Sequence, residues 1–117
     1  MNKITLTGTP PSTSSIYKYR NAGKFIMGYM SAEGKQKKEE IRYELMQQYK
    51  NKCSQDDFNI EIKYFFPDKR RRDIDNFLKL IFDAATGLIW EDDSQIQSMM
   101  LSKYIDKDNP RVELTIL

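Results

Sequence analysis

The sequence predicts an α+β fold, one small domain in which a mixed sheet is covered by two helices in the order β-α-β-α-β-β. Phe58, Ile60, Ile62, Tyr64 and Phe66 alternate without a break, the period-two signature of a half-buried strand. Ile74, Phe77, Leu78, Ile81, Phe82 and Ala85 fall at i, i+3, i+4, i+7, i+8 and i+11, an apolar stripe along one side of a helix. With 117 residues, 39% of them hydrophobic, the chain can fill one core, taken as residues 1–117, and has no room for a second.

Residues 2–7 read as the first strand, with Ile4 and Leu6 on one face, stopped by Pro10 and Pro11. The stretch from Ser12 to Met30 shows no clear period and reads as a long loop, with room for a short hairpin at Asn21-Ala22-Gly23. Ser31 suits the N-cap of a helix reaching about Lys50, with Glu33 in its first turn and Ile41, Leu45 and Tyr49 as its buried stripe. Asn51 to Asp57 is a polar turn, and Pro67 ends the strand that follows it. Asp73 stands at the N-cap of the second helix and Gly87 at its end, followed by the apolar link Ile89-Trp90. Gln95 to Ile105 forms a further strand, Asp106 to Pro110 a turn, and Val112, Leu114 and Ile116 mark the last strand.

Composition narrows the chemistry. There is no histidine, which excludes Ser-His-Asp and Cys-His catalysis and most zinc sites. A metal held here would need carboxylate ligands, which suit hard ions such as Mg²⁺ or Mn²⁺. The one cysteine, Cys53, excludes an intrachain disulfide and suits a reducing cytoplasm. No apolar run approaches the ~20 residues of a membrane span, so no membrane partner is expected. Net charge is only +2, but basic residues gather at Lys35, Lys37 and Lys38 and again from Lys69 to Arg72, while acids gather at Asp92 and Asp93.

The segment from Lys69 to Lys79 carries the densest chemistry. Four cations, Lys69, Arg70, Arg71 and Arg72, directly precede Asp73 and Asp75, and arginine matches phosphate geometry in bidentate fashion. Asp75, Asn76, Lys79 and Asp83 lie on the helix side opposite the apolar stripe. Asp73 and Asp75 would point about 200° apart on an ideal helix, and converge on one ion only if Asp73 sits outside it as the cap. A solvated Asp–Lys–Asp row and an ordinary N-cap would account for the same residues without function. Trp90-Glu91-Asp92-Asp93-Ser94 adds acids before the next strand, and a strand running back beside the second helix would bring Asp92 or Asp93 toward Asp73 and Asp75. Pro67-Asp68 and Glu61-Ile62-Lys63 have the parts of a restriction-type nuclease motif, but in the wrong order.

Taken in order, Arg-Arg-Arg-Asp-Ile-Asp-Asn-x-x-Lys-x-x-x-Asp-Ala, then Gly, then Trp-Glu-Asp-Asp-Ser-Gln-Ile resembles the RusA-type Holliday junction resolvases. Pro10-Pro11-Ser12 and Arg111 to Ile116 resemble the family's ends, so the likeness spans nearly the whole chain and is densest from residue 67 to 98. The Ser12–Met30 loop diverges. The resemblance implies an endonuclease of recombination and repair, encoded by bacteria, phages or prophages. It would act as a homodimer on four-way DNA junctions, with Mg²⁺ as cofactor, Mn²⁺ as substitute and no organic cofactor. It assigns catalysis to Asp73, Asp75, Asp93 and Lys79 and metal binding to Asp73, Asp75, Asp92 and Asp93, while the basic run Lys69, Arg70, Arg71 and Arg72, with Asn76, is the candidate for DNA contacts. A non-catalytic branched-DNA-binding module, or a less selective flap or fork nuclease, fits the same residues.

Overall fold

A computed structural model describes residues 2–117. Four strands form the main sheet: β1 (Asn2–Thr7), β4 (Phe58–Phe66), β5 (Ile96–Ile105) and β6 (Arg111–Ile116), in the spatial order β1-β6-β4-β5. β6 lies antiparallel between β1 and β4, whereas β5 runs parallel to β4, so the sheet is mixed as the sequence predicts. Two longer helices pack on it, α2 (Ala32–Gln48) and α3 (Leu78–Ala85), preceded by a short α1 (Thr13–Ile16).

The alternation in β4 has the physical meaning expected of it. Ile62 pairs with Leu114, which pairs with Ile4, and Tyr64 pairs with Val112, which pairs with Leu6. All are buried, forming rows across one face beneath Leu45, Leu80, Ile81 and Trp90. On the other face Phe65 stacks on Tyr104 at 5.2 Å and carries the Arg111 guanidinium 3.8 Å from its ring centre. That guanidinium also pairs with Asp106 at 2.8 Å and Glu113 at 3.0 Å, tying the turn before β6 to the sheet.

The helices are seated by side chains that satisfy backbone groups. Ser31 caps α2 as expected, its Oγ accepting from Gly34 N at 3.1 Å. Gln48 accepts from Thr5 N and donates to Thr5 O, both at 2.8 Å, and Glu44 accepts from Thr7 N at 3.0 Å. Three outward backbone groups of β1, Thr5 N, Thr5 O and Thr7 N, are thus taken up by α2. Arg42 donates to Ala84 O at 3.1 Å and Thr86 O at 2.9 Å, closing the carbonyl end of α3.

Two expectations need correction. Ser12 to Met30 is not a long loop: the hairpin expected at Asn21-Ala22-Gly23 is present and extends through most of it, β2 (Tyr17–Ala22) and β3 (Phe25–Met30) pairing antiparallel around Gly23, whose φ of +66° favours glycine. The observed order is therefore β-α-β-β-α-β-α-β-β. The extent of its two strands has no periodic signature because most residues on both faces are exposed, leaving no alternation to detect. The second helix also begins differently. Ile74–Phe77 is a 3-10 turn, with α-helix only from Leu78, and Asp73 precedes it in extended conformation without a side-chain capping bond.

Trp90 is fully buried between Phe58 and Phe82, with ring centres 5.7 and 5.8 Å away. Trp90→Ala is expected to lower stability by about 3–5 kcal/mol. Urea unfolding should read this as a lower midpoint at an unchanged slope.

Candidate nucleic-acid and metal site

The chain leaves β4 through Pro67 and Asp68, and Asp68 organises the basic loop from Lys69 to Arg72. Its carboxylate accepts from Arg70 N at 2.9 Å and pairs with Arg72 at 2.9 Å. The backbone bond from Arg70, then the Arg72 guanidinium, hold the Asp68 carboxyl below the usual aspartate range. Arg72 also lies over the Phe66 ring at 4.5 Å, with only 12% of its side chain exposed. Of the four predicted phosphate ligands, Arg72 is thus committed to packing this loop. Lys69, Arg70 and Arg71 face solvent.

Lys103 on β5 donates from Nζ to Arg72 O at 2.7 Å, fixing the residue immediately before Asp73. Together with Lys69 and Arg70 it lines an open groove beside Phe66 and Tyr104. Lys103 was not singled out from the sequence. Its signal is a lysine in the register of Met99, Leu101 and Ile105, where alternation calls for apolar residues.

Asp73 and Asp75 are both exposed on this turn and Asn76 is half-buried. Asp75 stands near enough to buried Tyr64 for its negative charge to add to the burial that raises the phenol's pKa. Lys79 is exposed, paired with Asp83 at 3.6 Å and held 4.8 Å from the Tyr17 ring centre. Tyr17 donates its hydroxyl to Asp83, and burial followed by that bond raises its pKa. The row Asp75–Lys79–Asp83 is therefore engaged at its Asp83 end, through a tyrosine of the hairpin.

Asp92 and Asp93 form a second, separate acidic turn. Asp92 accepts from Ser94 N at 2.9 Å, a capping role, and bonds from Ser94 hold its carboxyl below the usual range. Gln95 Oε1 accepts from Glu91 N and Asp92 N, both at 2.9 Å, while its Nε2 donates to Ser54 O and Asp56 O, both at 2.8 Å. Asp93 is left exposed. Gln95, read from sequence only as the start of a strand, pins this turn to the loop that enters β4.

The two acidic turns do not meet within one chain. β5 starts opposite Phe58, at the beginning of β4, and its Lys103 lies opposite Tyr64 near the end. Seven residues separate Ile96 from Lys103, roughly 23 Å of strand. β5 does run back along the second helix, but because it is parallel to β4 its end, not its start, lies beside Asp73 and Asp75, so Asp92 and Asp93 stay at the far end. Among the described residues no three Asp, Glu or Cys side chains are grouped to hold a metal ion. What one chain offers is a pair of free carboxylates, Asp73 and Asp75, amid cations, and Mg²⁺ commonly takes only one or two carboxylates beside substrate phosphates. That donor chemistry fits a hard cation.

The site thus gathers carboxylates among guanidinium and ammonium groups at one end of the sheet of a small α+β fold. A family model described as endodeoxyribonuclease RusA matches residues 8–117. The chain is 32% identical over 118 residues to the crossover junction endodeoxyribonuclease RusA of Escherichia coli, covering 99% of this chain and 95% of that protein. It is also 32% identical over 108 residues to the enzyme of that name from Enterobacteria phage 82, covering 92% and 87%. A 44-residue match at 43% identity, covering 38% of this chain and 30% of that protein, joins it to the uncharacterised YqaN of Bacillus subtilis. The chain belongs to the RusA family of endodeoxyribonucleases. Among the described residues no helix is long and apolar enough to cross a membrane.

The Asp68–Arg72 pair has a pH signature. A carboxyl whose pKa is depressed on folding stabilises above its unfolded value of 3.8, and that contribution is lost as pH falls through the folded value. Arg72→Met should lower the melting temperature at pH 7, and the gap to wild type should narrow below about pH 4. Melting curves across pH 3–7 check this.

Proposed function

We propose that the chain is a divalent-cation-dependent endonuclease that resolves four-way DNA junctions by paired phosphodiester hydrolysis. It works as a two-fold homodimer in which each site is shared between subunits. The observation that carries the shared site is the direction of β5. This strand is a ten-residue sheet edge with Met99, Met100, Tyr104 and Ile105 exposed, and such an edge invites pairing. An edge strand meeting its own copy across a two-fold axis runs antiparallel to it. The start of one β5, where Asp93 sits, then approaches the end of its partner, where Lys103 holds Arg72 and Asp73 follows. Asp73 and Asp75 of one subunit with Asp93 of the partner subunit make a three-carboxylate site that neither chain has alone.

In this reading Asp73, Asp75 and Asp93 hold Mg²⁺, or Mn²⁺ in its place. Asp92 keeps the Asp93 turn in shape through its Ser94 bonds. The bound cation supplies charge neutralisation at the phosphoryl oxygens and a lowered pKa for the attacking water. Lys69, Arg70 and Arg71 clamp the flanking phosphates and Asn76 adds a neutral contact. Lys79 offers positive charge for the phosphoryl group in the transition state, restrained by Asp83 and Tyr17. A four-way junction has two-fold symmetry, so two shared sites give the two symmetric cuts. Bacterial and phage relatives, with the single exposed Cys53, support a cytoplasmic setting.

Asp75→Asn is expected to keep the fold and junction binding and to abolish cleavage with Mg²⁺. Wild-type rates in that variant would remove Asp75 from the mechanism. Sharing between subunits is tested by mixing. Asp75→Asn and Asp93→Asn chains, each inactive alone, should regain single-strand nicking once subunits exchange, because one of the two sites in the mixed dimer is intact. No recovery in a verified mixed dimer would place all three carboxylates in one subunit. A wild type that shifts junctions on a gel but never cuts them would be a binding module instead. Cutting of forks and flaps at the junction rate would make it a less selective nuclease.

Arg71→Ala should weaken binding to junction and duplex alike. The slope of log affinity against log salt should fall by about one, with stability unchanged.

A further inference from the structure

Beyond Tyr17 at its base, which holds Asp83 beside Lys79, the hairpin of β2 and β3 is not used by the cleavage chemistry proposed above. It forms a two-stranded sheet of its own beside the main one, and nearly every residue in it is exposed. A lone hairpin in water is marginal, so a large exposed apolar surface on one needs an occupant. Tyr19 is 74% exposed, and Phe25 and Ile26, next to the turn, are each 75% exposed. Pairing register puts Lys18 and Arg20 on one face with Tyr29, Met27 and Phe25, while Tyr19 and Ile26 lie on the other. Tyr19 packs over Gly28, where a Cβ would come within 3.3 Å of the ring.

Charge selects the occupant. Residues 1–32 contain Lys3, Lys18, Arg20 and Lys24 and not one Asp or Glu, the first acid being Glu33. A surface of flat rings and aliphatic tips interleaved with unopposed cations matches a ligand that offers π-faces and phosphates together. Position agrees. The base of the hairpin is fixed to α3 through Tyr17 and Asp83, and a groove lined by Tyr17, Lys18, Tyr29 and Lys79 joins it to the helix that comes after Asp75.

We propose that this hairpin is a DNA-contacting arm. Phe25, Ile26 and Tyr19 stack on base faces left uncovered at a branch point, and Lys18, Arg20 and Lys24 hold the phosphates beside them. The proposal rests on the reading of the chain as an enzyme of branched DNA and assigns to the arm its preference for a branch over plain duplex. Within a duplex each base is covered by its neighbours, whereas strand exchange interrupts stacking at the crossover and leaves faces for aromatic contact.

The test reads binding alone, in EDTA, so that cutting does not enter. A four-way junction with 2-aminopurine at the crossover and a linear duplex are titrated with wild type, a Phe25→Ala/Ile26→Ala variant and Phe25→Trp. The double alanine variant should bind the junction about tenfold more weakly, since a base–aromatic stack is worth that order of affinity. It should lose the 2-aminopurine response and keep duplex affinity, circular dichroism and molar mass. Phe25→Trp should retain junction affinity and the response. Unchanged junction affinity and fluorescence in the double variant would overturn the proposal. So would a fall in molar mass, which would make the arm a contact between copies of this chain. Mg²⁺-dependent cutting by wild type is followed separately. Its absence would count against the nuclease, while the arm would still stand or fall on the binding of its variants.

Discussion

Parallel pairing of β4 with β5 is the constraint on which the rest of the molecule turns. Parallel neighbours need a connection that returns along the full strand length, here the 3-10 turn, α3 and the Trp90 link. Residues just after the first strand and residues just before the second are therefore held at opposite ends of the sheet. Asp73 and Asp75 belong to the first set and Asp93 to the second. A sequence that places its acids at those two points has separated them by topology, however close they stand in the motif. On the function proposed above, edge pairing of β5 with a second copy is what would reunite them.

Both turns are built so that only some of their charges remain available. Asp68 and Arg72 neutralise each other against Phe66, and Asp92 closes the cap that Gln95 clamps to the β4 entrance. These internal bonds shape the loops and leave Lys69, Arg70, Arg71, Asp73, Asp75 and Asp93 exposed. Such a division answers a general difficulty, since long charged side chains that must meet a ligand lose entropy unless the backbone beneath them is already fixed. Lys103, bonded to the carbonyl just before Asp73, serves the same end from the neighbouring strand.

The elements facing the core were legible in the sequence because burial imposes a period. β4 runs from Phe58 to Phe66 as its alternation indicated, and Ser31 caps α2. The turn of the hairpin at Asn21-Ala22-Gly23 was legible, but the length of its strands was not, because most residues on both faces are exposed. Nor was the parallel direction of β5, since alternation reports which face is inward and is silent about which way the strand runs. The acidic and basic residues stood out through their clustering, but their division into structural and free groups did not. Arg72 and Arg71 look alike in a row of cations until Phe66 and Asp68 are seen beneath one of them.

The two edges of the sheet differ in a way that bears on assembly size. Along β1, Gln48 and Glu44 occupy the outward backbone groups of Thr5 and the N–H of Thr7, which a further strand would use, while β5 has no such cover among the described residues. A sheet with both margins open can add molecules without end and grow into fibrils. With one margin covered in part by its own helix, growth through the other margin would stop after a single addition, so self-association of the kind proposed would yield a particle of finite size rather than a polymer.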